Sequence, residues 1–101
     1  MKKKRYSAEY LRRLRNDIPM ASVLQALQWP NKHRDGELRF MCPVCQFTHT
    51  AIHPKTNLGR CFRCKENFNT IEFVMAAQEW DFLMAVPYLE SMLSTQNTNQ
   101  D

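Results

Sequence analysis

The sequence predicts an α+β fold: a short antiparallel β-sheet gathered around four cysteines and flanked by N- and C-terminal helices. Three observations predict it. Two Cys-x-x-Cys pairs, Cys42/Cys45 and Cys61/Cys64, are separated by fifteen residues. The stretches beside them read as short half-buried strands, most clearly where polar and apolar residues alternate. Outside them, apolar residues recur at helical spacing.

The elements follow in chain order. Residues 1–6 form a basic arm. From Ser7, which can cap, Tyr10, Leu11 and Leu14 fall at helical spacing with arginines on the other face. Asp17 is the expected N-cap of a second helix over residues 19–27, since proline is tolerated in a first helical turn. Met20, Val23, Leu24 and Leu27 form its apolar face. Trp29-Pro30 ends it, because the residue before proline is disfavoured in the α region. Residues 31–36 read as a polar turn. Residues 37–41 alternate as a strand, 49–53 hold a second, 54–59 turn, and 58–62 return as a third. Asn69 and Glu72 have capping-box spacing. The helix they open places Ile71, Phe73, Val74 and Met75 in the expected core. Asp81 caps a last helix carrying Phe82, Leu83, Val86, Leu89 and Leu93, in which Pro87 is expected to make a kink or start a fresh turn. Trp29 and Trp80 are expected in packing. The chain thus divides into a basic arm and helix (1–15), one domain (16–93) and a polar tail expected to be disordered (94–101).

The chain has 101 residues, 44% of them apolar, enough for one compact domain. A core of that size often needs a metal or disulfides to hold it. Gly36 and Gly59 are its only glycines, which excludes Gly-rich phosphate cradles. The formal charge of +4 is unevenly spread. Residues 1–15 set seven basic groups against Glu9 (+6), residues 16–60 five against three (+2), and residues 61–101 two against six (−4). The basic first segment suits phosphate binding that ignores sequence. No apolar run approaches the ~20 residues of a membrane span. Residues 2–5 lead into Ser7, Ala8 and Glu9 rather than an apolar signal core. The expected location is cytoplasmic, with no membrane partner.

In a reducing compartment, paired cysteines bind metal more often than they form disulfides. Two residues between cysteines let both sulfurs of a knuckle converge on one ion. The fifteen between the pairs hold a hairpin that brings the second knuckle opposite the first. Cys42, Cys45, Cys61 and Cys64 are therefore the expected ligands of one structural Zn2+, a closed tetrahedron with no place for a catalytic water. Soft sulfur ligands favour zinc, or iron, over magnesium or calcium. Two alternatives are weaker. A disulfide within a knuckle closes only a tiny loop. A redox Cys-x-x-Cys calls for one motif at a helix N-terminus, not two joined by a hairpin. His49 and His53 lie between the pairs and are expected to be exposed, since four sulfurs already fill the shell.

With these residues in view, the chain resembles the CHC2-type zinc ribbon, the zinc-binding domain of bacterial and phage DNA primases, over about residues 16 to 93. Ile18-Pro-Met-Ala-Ser-Val-Leu24 looks like the family's opening helix. Met41-Cys-Pro-Val-Cys45 and Arg60-Cys-Phe-Arg-Cys64 are similar to its two knuckles. Asn69-Thr-Ile-Glu-Phe-Val-Met75 and the helix from Asp81 through Leu89 match the segments that follow. The chain departs from the family pattern at Cys45, where the usual second ligand is histidine. It departs also at Thr48, Gly59 and Arg63, on the face where the family meets DNA. With the chain ending at Asp101, no room is expected for a catalytic domain.

The resemblance implies a small zinc ribbon that binds single-stranded DNA on its exposed sheet. Its role would lie in DNA replication and primer synthesis, or in mobile-element DNA transactions, beside a separate catalytic partner such as a primase or helicase. A positive groove for phosphates and flat side chains for bases are what this needs. The residues that supply them are Arg39, Lys55, Arg60, Phe62, Arg63 and Lys65, together with Phe47, His49 and Asn57. Phe62 has two readings, packing on the ribbon or stacking on bases, and packing is the expected one. The alternative function is a protein-interaction adaptor using the same fold. No enzyme is expected, for want of a nucleophile–base pair, an open metal site or a carboxylate cluster.

Overall fold

The computed structural model describes residues 6–98, with side chains through Leu93. Residues 1–5 of the basic arm and 99–101 of the tail lie outside the described residues.

Helix α1 spans Ala8–Asn16, and the Ser7 hydroxyl accepts from Tyr10 N at 3.0 Å, as expected. Its Leu14 is fully buried, while Arg12 and Arg13 face out. Helix α2 spans Met20–Ala26. Asp17 does not cap it. That residue ends α1 and pairs with Arg13 at 3.3 Å, and Pro19 occupies the N-cap with no side-chain bond. Gln28 then turns left-handed (φ 53°), so that Trp29 N reaches Leu24 O at 2.9 Å.

Five antiparallel strands follow as a meander in chain order: β1 Asn31–Arg34, β2 Glu37–Phe40, β3 Thr50–Ile52, β4 Gly59–Arg60 and β5 Asn67–Phe68. Residues 31–34, expected in a polar turn, are thus a strand. All four are exposed, which removes the alternation that marks a strand. The turn is only Asp35-Gly36, both at positive φ (54° and 80°), as a two-residue type I′ hairpin requires.

Helix α3 spans Thr70–Gln78, and the Asn69/Glu72 capping box forms in both directions at 2.8 and 3.0 Å. Helix α4 spans Phe82–Thr98, with Asp81 Oδ1 accepting from Met84 N at 3.0 Å. It is one continuous element through Pro87, and its backbone carries into the stretch expected to be a disordered tail.

The sheet packs one face on the helices, and α3 touches α1, α2, α4 and β5. Phe73 is the hub: Trp29 and Phe40 both meet its ring edge-on, at 5.4 and 5.5 Å. Ile71, Val74, Ala85, Val86, Leu89 and Leu93 share this core with Leu14, Ile18, Met20, Val23, Leu24 and Phe68, and Met75 is partly buried at its margin. Both cysteine pairs lie at one end of the sheet, because each follows a strand leaving in the same direction. The β1–β2 and β3–β4 turns lie at the other end.

Candidate functional site: the metal centre and the sheet face beside it

The two knuckles have the same backbone. In the first, Gln46 N donates to Cys42 O (2.9 Å) and Cys42 N to Phe47 O (2.8 Å); in the second, Lys65 N donates to Cys61 O (2.8 Å) and Cys61 N to Glu66 O (3.0 Å). Gln46 and Lys65 both turn left-handed, at φ 65° and 64°. Each turn aims amides at its first sulfur. Val44 N and Cys45 N point at Cys42 Sγ (3.4 and 3.5 Å), and Cys64 N points at Cys61 Sγ (3.4 Å). Such donors stabilise thiolate charge.

The four sulfurs lie within 4.8 Å of one another. Across the knuckles, Cys42 to Cys64 is 3.7 Å and Cys45 to Cys61 is 3.5 Å. A disulfide holds its sulfurs near ~2.05 Å. A tetrahedron with metal–sulfur bonds of ~2.3 Å has edges of about 3.8 Å. The spacing is that of a metal cage, and all four cysteines are free.

Charge gives the same answer. Burial pushes the Cys42 thiol up, and burial together with the neighbouring thiols pushes Cys64 up to about 12. Burial also works against the Cys61 thiolate, but amides of Cys64 and Arg63 and the thiols of Cys45 and Cys64 outweigh it and bring Cys61 down to about 6. Four thiolates this close repel one another, and a divalent cation is what allows all four to ionise. Cys42, Cys45, Cys61 and Cys64 form a single zinc site. His49 and His53 stand outside the cluster. His53 Nδ1 accepts from Lys55 N (3.2 Å) and Thr56 N (3.4 Å), which fixes its turn.

Next to the cage lies the face of the sheet turned from the core. Arg39, Ala51, Arg60, Phe62 and Leu58 line a groove of about 560 Å³ there. Arg39 is tied to Glu37 at 2.6 Å, and Arg60 Nη1 donates to Asn67 Oδ1 at 3.1 Å. Phe62 is 56% exposed, so the expectation that it packs on the ribbon is wrong. It sits at the tip of the second knuckle, where the turn that aims amides at the sulfur directs this side chain outward. The Arg60 guanidinium lies 6.0 Å from its ring centroid. Arg63 lies over Phe47 (5.8 Å), joining the second knuckle to the loop that leaves the first, and the Phe47 and His49 rings are 5.3 Å apart. Lys65 is exposed on the same knuckle. Lys55 is also exposed, but on the β3–β4 turn at the end of the sheet away from the sulfurs.

Asn57 has a different task from the DNA contact expected of it. Its Oδ1 accepts from Met20 N (2.9 Å), and its Nδ2 donates to Arg15 O (2.8 Å) and Ile18 O (2.7 Å). It closes the end of α1 and caps α2 in place of Asp17. No local pattern marks such a role, since the partners are about forty residues away. Gly59, expected on the face that meets DNA, is instead buried on the core side of the sheet. A Cβ there would stand 2.7 Å from Phe40 Cζ, so the glycine makes room for that ring.

The fold and the sulfur cage define a four-cysteine zinc ribbon, a five-stranded meander with helices on one face. The chain belongs to the CHC2 zinc finger family, whose model matches residues 6–101. No curated protein and no solved structure matches it. No helix among the described residues is long and apolar enough to cross a membrane.

Proposed function

We propose that this CHC2 zinc finger binds single-stranded DNA on the outer face of its sheet, as the template-recognition module of a replication, primer-synthesis or mobile-element system that includes a catalytic unit. One observation carries the reading: Arg39, Arg60 and the exposed Phe62 ring line one groove, directly beside a rigid metal cage. Cations supply phosphate attraction, and an exposed ring supplies a surface for a base. Arg63 and Lys65 extend the positive edge along the second knuckle.

The test is binding of a labelled single strand to the zinc-loaded protein across a salt series. Replacing Arg60, Arg63 and Lys65 together by alanine is expected to weaken binding at least about tenfold. It should also flatten the log–log salt slope by about 2, at ~0.7 for each phosphate no longer neutralised. A wild-type protein that binds, with a triple variant that binds equally well, overturns the reading. The adaptor alternative then gains. It draws on Leu83 and Met84, exposed at 61% and 52% on α4, as an apolar surface for a protein partner.

A further inference from the structure

The sheet register lines up one residue from every strand. Lys32 on β1 faces Arg39 on β2, Arg39 faces Ala51 on β3, Ala51 faces Arg60 on β4, and Arg60 faces Asn67 on β5. Successive residues of a strand point to opposite sides. Phe40, Thr50, Gly59 and Phe68 take the core side and are buried, so this row belongs to the outer surface. It holds three cations and no acid. At its centre is the small Ala51, which leaves a gap between two long arginines. Arg39 lines the large groove together with Ala51 and Arg60, and it also lines a second recess together with Lys32 and Thr48. The two recesses thus share Arg39 as a common wall. Asp35 stands at the β1–β2 turn, at the end of the sheet away from the sulfurs, whereas Glu37 lines the large groove and reaches Arg39 on the row.

We infer that the DNA strand crosses the β-strands rather than running along them. Its path goes from Lys65 and Arg63 on the second knuckle past Arg60, over Ala51, past Arg39, and ends on Lys32 of β1. This rests on the proposed function and adds to it a direction, a new contact and a length. From Lys32 to Arg60 is three strand spacings of about 4.8 Å, or about 14 Å. That spans about four stacked nucleotides at about 3.4 Å each. Glu37, bonded to Arg39 at 2.6 Å, competes with phosphate for that guanidinium and holds affinity down. Lys55 lies off the path.

The experiment measures anisotropy of a labelled oligothymidylate of about 12 nucleotides, within the range such folds cover, on the zinc-loaded full chain over a salt series. Lys32→Ala and Lys55→Ala remove the same charge from two exposed positions, one on β1 and one on the β3–β4 turn. Lys32→Ala is expected to weaken binding about threefold or more and to reduce the salt slope by about 0.7, the value for one phosphate. Lys55→Ala is expected to change neither. Glu37→Gln is expected to tighten binding about threefold, a gain that a merely structural role would not give. Equal effects of Lys32→Ala and Lys55→Ala overturn the path, as does a silent Lys32→Ala or a silent Glu37→Gln. A wild-type protein that fails to bind sinks the DNA reading itself, which is a distinguishable result.

Discussion

The two knuckles share a backbone and differ in almost everything they present. Both close on the same pair of hydrogen bonds, and both force a side-chain-bearing residue into the left-handed region. Around that common turn, the first knuckle carries Pro43, Val44 and Gln46, and the second carries Phe62, Arg63 and Lys65. The strands leading into them differ as well. Two residues before the first cysteine stands Phe40; two before the third stands Gly59, and the Phe40 ring fills the space over it. Metal geometry is therefore a property of the turn, which tolerates any tip. Surface chemistry is a property of the tip, and only the second knuckle has a charged aromatic one.

If the cage is symmetric, Cys42→Ser and Cys61→Ser should be equally damaging. Zinc contributes on the order of 10 kcal/mol to such a domain, comparable to a small domain's whole stability. Either variant, or a chelator, is expected to abolish zinc binding and melt the sheet, read by native mass spectrometry and circular dichroism. Unequal loss would show that one knuckle is organised without metal.

Protonation probes the same cage. Zinc must displace the protons that burial leaves on Cys42 and Cys64, so its affinity is expected to rise with pH. Affinity should fall away steeply as pH drops through about 6, where Cys61, ionised above that value, takes its own proton. Chelator competition over a pH series reads this directly. A flat profile would contradict thiolate ligation.

The asymmetric pair inside the sheet is expected to cost less. Phe40→Ala empties the position that contacts Phe73 and should destabilise by about 3–5 kcal/mol. Gly59→Ala drives a methyl into the ring and should cost about 1–3 kcal/mol. Thermal denaturation of the zinc-loaded forms measures both.

The smallest effects separate turn from tip most cleanly. Gln46→Gly and Lys65→Gly each relieve a left-handed side chain, less the added freedom of glycine in the unfolded chain, for a net gain of about 0.5 kcal/mol. The gain should be the same at both sites. Only Lys65→Gly is expected to weaken DNA binding while it stabilises.

What could be read from the sequence was whatever local chemistry determines. The four ligands follow from spacing. Ser7, Asn69 with Glu72, and Asp81 follow from capping rules, and all three caps form. Phe73 in the core follows from apolar pattern, and Trp29 packs as expected; their junction with Phe40 is a product of the fold. β1 did not follow, because an edge strand exposed on every residue has no pattern; its one signal was Asp35-Gly36, a dipeptide suited to type I′ hairpins. β5 has two residues, too few for any period. Phe62 reads as buried from its aromatic character, whereas a knuckle tip points outward. Asn57 and Gly59 are set by partners distant in the chain or across the sheet, which only the fold brings near.

The Asn57 amide has a consequence that reaches well past its three bonds. The β3–β4 hairpin ends in the sulfur cage on one side and in this side chain on the other, so it acts as a lever between ion and helices. A domain coupled in this way gains or loses order as one cooperative unit. The Met20 amide proton, sheltered by Asn57 Oδ1, would then exchange with solvent at a rate that reports metal occupancy from the opposite end of the sheet.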